Sequence, residues 1–198
     1  MNLVFMYLDE MLPWTFASFF IYIIIRAICI RKNTIDIKWA KEIWMCIFVV
    51  YMVSLLSQTI IPSFSFYRDD LSGRYLFRIY TENSNASVNL IPFHTISEFL
   101  FTSNGNVDSW GSFSVLNIMA NMFFFMPFGF LLPILWEKCR SLKVVFILGF
   151  IFTFLVEFIQ YFIGRSSDID DIILNVISIV IGYGIYHITY KKIIKVKG

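Results

Sequence analysis

The residues that could do chemistry are gathered between Glu157 and Asn175, where the chain reads EFIQYFIGRSSDIDDIILN. A glutamate lies inside an apolar run. Gly164, Arg165 and three aspartates (Asp168, Asp170, Asp171) follow, and Asn175 comes where another apolar run has begun. Carboxylates beside a guanidinium suit phosphate chemistry, in which an acid serves as general base or metal ligand and arginine's planar fork grips the phosphate. Ionisable groups in a membrane-like chain are costly, and they face a partner, a bundle interior or a wet cavity. Glu157 is the hardest of them to assign to packing alone. Asp168 has a second reading as a helix N-cap, accepting from free amides at the positive dipole end. That role leaves Asp170 and Asp171 unexplained. Arg165 is a candidate ion-pair partner under either reading.

The elements that must position these groups are membrane helices. The chain has 198 residues, of which 58% are apolar and 19% aromatic, and 23 are phenylalanine. Its mean hydropathy is +0.72. Soluble domains hold about 45–50% apolar residues, so the expected class is an all-α, polytopic integral membrane protein with no nucleic-acid partner. The N-terminal stretch carries Asp9 and Glu10 and no basic residue, unlike a signal peptide, and is expected to remain as a first helix. Cys29, Cys46 and Cys139 form no CxxC pair and read as unpaired thiols.

Crossing the hydrocarbon takes about 20 helical residues. Five runs meet or approach this: 14–30, 43–61, 113–136, 144–163 and 172–190. Arg26 can snorkel from the first, and Trp14, Trp44 and Trp136 sit at run ends, where amphipathic rings favour the interface. Pro127 should kink the third run. Twelve of the 16 basic residues fall on one side of this topology. The positive-inside rule then puts the N-terminus outside, the C-terminus in the cytoplasm, and the 62–112 loop and 164–171 turn outside. The organisation is residues 1–88 with two helices, 89–190 with the loop motif and three helices, and a basic tail over 191–198.

At about 1.5 Å per residue, Glu157 lies roughly 9 Å, Asn175 about 5 Å, Asn117 about 6 Å and Asn121 about 12 Å below the outer end. Gly149, Thr153, Glu157 and Gln160 share a face of the fourth run, and Asp171, Asn175, Ser178 and Gly182 share one of the fifth. Asn117, Asn121 and Phe128 share a face of the third. The three stripes should meet, either as packing and interhelical hydrogen bonding or as a working site. Gly164 is suited to turning the chain back, so that Arg165 reaches toward Glu157 or across to Asp168 and Asp171.

In the outer loop, residues 63–87 are polar with mixed charge and read as its most mobile part. NLIPFHTI (89–96) follows, and then SEFLF, read as a short interfacial helix with Ser97 as cap. Asn89 is a candidate ligand-binding residue. His94 is either a solvated loop histidine or a functional base. The acids and histidine could hold a divalent metal, but no spacing is diagnostic of one and no cofactor is evident.

Four segments, NLIPFHTI, NIMANMFFFMPFGFLLP (117–133), EFIQYFIGRSSDIDDIILN and IGYGIY (181–186), together resemble the VanZ-like family. Family members often carry an aromatic residue where this chain has Ser167. The resemblance implies a phenotype, low-level resistance to the lipid-tailed glycopeptide teicoplanin, and no particular reaction.

Three functions are therefore open. The first is a multi-pass cell-membrane protein of the Gram-positive envelope that reduces the action of lipid-tailed glycopeptides. Its outward polar cluster would comprise Glu157, Arg165, Asp168 and Asp171, with Asn89, His94, Asn117, Asn121, Gln160, Asp170 and Asn175 as ligand-binding positions. The second is an enzyme acting on a lipid-linked envelope precursor. The third is a small transporter, although five helices show no inverted repeat. The partners implied are the lipid bilayer and a lipid-linked precursor or lipoglycopeptide.

Overall fold

The computed structural model describes residues 3–32, 38–61, 64–69, 74–79, 88–94, 97 and 110–189, with the backbone alone at 3–10, 64–67, 77–79 and 110–118. The main helices are α1 (Leu3–Lys32), α2 (Trp39–Thr59), α3 (Trp110–Leu135), α4 (Leu142–Phe162) and α5 (Ile169–Ile188). Residues Met11–Lys32 of α1 and the whole of α2, α4 and α5 are long and apolar enough to cross a membrane. In α3 the described apolar stretch, Met119–Leu135, is 17 residues, at the lower end of what spans. The chain is a polytopic helical membrane protein.

Helix ends fall within a few residues of the expected runs, except that α1 begins near Leu3 rather than Trp14. Asp9, Glu10 and Pro13 end the hydropathy of that run but not its helix. α3 continues as helix through Pro127 and Pro133.

α1 and α2 form an antiparallel hairpin, fixed near one end by Thr15 Oγ1 and Ser54 Oγ at 2.7 Å. At the other end Arg26 does more than snorkel. Its Nε donates to Glu42 Oε2 at 2.5 Å, its Nη2 pairs with Oε1, and Tyr22 joins them. The remaining face of α1 is apolar and exposed, with Phe16, Phe20, Ile24 and Ile28 all more than half exposed, as a lipid-facing helix requires. Phe150, Phe154, Phe158 and Phe162 line α4 in the same way, each ring against the next.

The closest helix contact is between α3 and α5. A Cβ on Gly129 would run into the Ile179 carbonyl oxygen, and one on Gly182 into that of Met126. Membrane helices gain no hydrophobic drive from leaving lipid, so small residues that let backbones approach supply the packing instead. Gly182 was expected on this face; Gly129 joins it from α3. α4 closes over the pair, with Gly149 facing the Ile179 side chain, which a Cβ there would meet at 3.0 Å, and Phe152 stacked on Phe128 at 4.7 Å between ring centroids. The core holds Leu55, Phe125, Phe128, Leu132, Val145 and Ile179. Tyr51 ties α2 to it by donating to the Phe124 carbonyl at 2.7 Å. Cys139 is buried in the short turn before α4, and burial pushes its thiol up, keeping it protonated.

The long loop between α2 and α3 holds more structure than its polarity suggests. Strands β1 (Phe64–Arg68) and β2 (Tyr75–Ile79) pair antiparallel in the register Phe64↔Ile79 to Arg68↔Tyr75. Strand β3 (Val88–Asn89) then pairs in parallel with β4 (Ser167–Asp168). Ser97 does not cap a helix. Its amide bonds to the Phe93 carbonyl at 2.9 Å and its hydroxyl to that of His94 at 2.8 Å, so the helical turn has begun before it.

Candidate functional site

α4 ends in a glycine-dependent turn. Gly164 has φ 90°; its amide bonds to the Tyr161 carbonyl at 3.2 Å, and that of Arg165 to Gln160 at 3.0 Å. These are the two bonds of a Schellman ending, which needs the left-handed conformation that glycine adopts freely. The chain reverses there and returns through β4, whose pairing with β3 brings Asn89 beside Asp168.

Asp168 is the N-cap of α5, with Oδ1 accepting from the Asp170 amide at 2.9 Å. Its carboxylate also receives the Asn89 side-chain amide, at 3.3 and 3.4 Å to the two oxygens. The other end of Asn89 accepts from the Ile91 amide at 3.1 Å, which turns the loop. Asp170, 1% exposed, accepts from the Phe93 amide at 2.5 Å. Asp171 accepts from Asn121 Nδ2 of α3 at 3.0 Å. Glu157, 4% exposed, reaches up one turn from the end of α4 and accepts from the Asp168 amide at 3.1 Å.

The four acids thus meet at one end of the bundle, and between them they bind three segments to the start of α5. Glu157 holds α4, Asp168 and Asp170 hold the 88–93 loop, and Asp171 holds α3. A carboxylate is the right group for this, since a buried ion is tolerated only when hydrogen bonds replace its water. The two residues flanking the Gly164 turn serve α2. Gln160 Nε2 donates to the Thr59 carbonyl at 2.9 Å, and Arg165 Nη1 to Gln58 and Thr59 at 3.3 and 3.2 Å. Those carbonyls lie at the negative end of the α2 dipole, where a cation and donors are favoured.

Asn175 lies one turn deeper, 2% exposed, with no hydrogen-bond partner for Oδ1. Ser178 and Thr153 bond back to their own helices, to Leu174 at 2.7 Å and Phe150 at 3.2 Å. Among the described residues of the stripes, interhelical side-chain hydrogen bonds are made by Asn121 to Asp171 and by Gln160 to the Thr59 carbonyl. The Asn117 side chain is outside the described residues. His94 is exposed, one residue past Phe93. Among the described residues no three His, Cys, Asp or Glu side chains form a metal-holding group. The groups missed by sequence reasoning were backbone ones, the Phe93 amide and the Gln58 and Thr59 carbonyls. In NLIPFHTI the polar side chains carry the sequence signal, whereas the contact to Asp170 is made by the Phe93 amide.

A family model described as VanZ/LLP1 matches residues 48–190. The chain belongs to the VanZ/LLP1 family. The match starts inside α2 and runs past the end of α5, so it includes the 88–93 loop, the Gly164 turn and every residue of the acidic cluster. No curated protein and no solved structure matches the chain.

Proposed function

We propose that this VanZ/LLP1 membrane protein resides in the cell membrane of a Gram-positive envelope and reduces the action of lipid-tailed glycopeptides of the teicoplanin kind. The cluster at the start of α5 would face outward, with the N-terminus outside and the C-terminus in the cytoplasm. The observation that carries this reading is the interlock itself. Within the matched region, four acids at the end of α4 and the start of α5 gather the 88–93 loop and three helices at one end of the bundle. The positive-inside count supports an outward orientation of that end, in the leaflet a lipid tail would enter. The test is expression in a susceptible Gram-positive host, where the inhibitory concentration of teicoplanin should rise more than that of vancomycin. No change in either, with the protein present in the membrane, would reject it.

A second reading is an enzyme acting on a lipid-linked envelope precursor. It is favoured by the place of Arg165, a guanidinium in the turn between Glu157 and Asp168, whose amide donates to Glu157. Mass spectrometry of envelope lipids and wall precursors, with and without the protein, separates the two. Unchanged lipids and precursors remove the enzyme reading.

A further inference from the structure

The loop opened by β3 carries an uninterrupted apolar tetrapeptide, Leu90-Ile91-Pro92-Phe93. Its side chains face away from the protein: Leu90 is 71% exposed, Ile91 62% and Phe93 59%. Its backbone is pinned instead. The β3–β4 pairing and the Asn89–Asp168 contact hold the start, and the Phe93 amide is held by Asp170. Phe93 has φ 64°, a left-handed conformation that is costly for a bulky aromatic residue. The Asp170 bond keeps it there, with the ring left exposed.

Depth decides what the tetrapeptide meets. α5 has 20 residues and is therefore about 30 Å long, close to the thickness of the hydrocarbon core. A helix with so little excess length has its first turn at the membrane boundary, and Asp170 is in that turn. The Phe93 amide is 2.5 Å from the Asp170 carboxylate, so the tetrapeptide lies at the same level. No ionisable residue occurs between Val88 and Phe93, and the Asn89 side-chain amide is turned inward onto Asp168.

We propose that Leu90–Phe93 is a rigid apolar wedge inserted into one leaflet, and that its partner is the acyl region of bilayer lipid just below the headgroups. This does not depend on the antibiotic phenotype.

The test uses the full chain carrying C29A, C46A and C139A, with one new cysteine from Leu90→Cys, Ile91→Cys or Phe93→Cys. Lys138→Cys, exposed in the turn between α3 and α4, is the aqueous reference. Each is labelled with bimane, checked for helix content by circular dichroism, and reconstituted into phosphatidylcholine vesicles. Quenching is measured with lipid bearing a doxyl group high on its chain and with aqueous iodide. Doxyl quenching at two or more wedge positions should exceed that at 138 by at least about threefold, with iodide quenching reduced to match, as insertion at the headgroup–acyl boundary requires. The use of three positions covers failure of the strained Phe93 site to accept the change. Iodide access like that at 138 at two of the three positions overturns the proposal.

Discussion

Glu157 accepts a hydrogen bond from the backbone amide of Asp168 at 3.1 Å, joining two helices through the turn between them. Glu157→Gln keeps an acceptor of the same shape there and loses the charge. We expect the variant to be folded and present in the membrane at wild-type abundance, with the proposed teicoplanin protection lost. Glu157→Ala leaves the Asp168 amide without that acceptor, a loss of about 1–3 kcal/mol, and should lower the thermal midpoint in detergent more than Glu157→Gln. Abundance and inhibitory concentration are measured in the same cells. An abundant, fully protective Glu157→Gln protein would mean that the carboxylate is not the working group.

Asp168 serves two segments and Asn89 one side of the same contact, so their substitutions should differ. Asp168→Ala removes the α5 cap, worth about 0.5–2 kcal/mol, together with the loop tie. Asn89→Ala removes only the tie and the turn on Ile91. Hydrogen exchange at the Ile91 and Phe93 amides should quicken in both, with the start of α5 affected only in Asp168→Ala. The double variant should fall short of the sum of the singles, because they share one interaction. Strict additivity would show that the contact contributes nothing.

What was legible in the sequence follows from where the signal lies. Apolar runs of about the length that crosses a bilayer gave the spans, and residue types gave the acidic cluster and the Gly164 turn. Asp168 as cap was readable because its side chain acts on the backbone two residues on. The Phe64–Arg68 and Tyr75–Ile79 hairpin was hidden by its mixed charge, although FSFYR and YLFRI alternate in part as strands do. The Phe93 amide and the Thr59 carbonyl could not be found, since every residue carries such groups and only the fold selects one. Gly129 illustrates the same limit: its partner is the backbone of Ile179, 50 residues away.

Arg165 and Gln160 both act on the end of α2, through the carbonyls of Gln58 and Thr59. Arg165→Lys keeps the charge at that dipole end but offers a compact ammonium in place of a planar fork. It should lower the thermal midpoint less than Arg165→Ala and still impair protection. Gln160→Ala should cost about 0.5–1.5 kcal/mol, the net value of one hydrogen bond. Equal midpoints for wild type, Gln160→Ala and Arg165→Ala would show that the α2 end is held by other contacts.

Gly182 and Gly184 lie two residues apart on α5 and should respond in opposite ways to alanine. A Cβ at Gly182 meets the Met126 carbonyl oxygen and the Phe130 amide nitrogen of α3, whereas one at Gly184 meets nothing within 4 Å. Backbone atoms cannot swing aside as a side-chain tip can, so Gly182→Ala must push the two helices apart. Overpacking commonly costs about 1–3 kcal/mol, and here it would also loosen Asn121 from Asp171, whose 3.0 Å bond spans the same helix pair. Gly184→Ala adds no clash and removes the entropic penalty of a helical glycine, about 0.5–1 kcal/mol relative to alanine. We therefore expect a lower thermal midpoint and lower membrane abundance for Gly182→Ala, and an unchanged or raised midpoint for Gly184→Ala. Thermal unfolding in detergent, with abundance measured in parallel, checks both. Equal tolerance of the two substitutions would mean that α3 and α5 are not held at backbone contact.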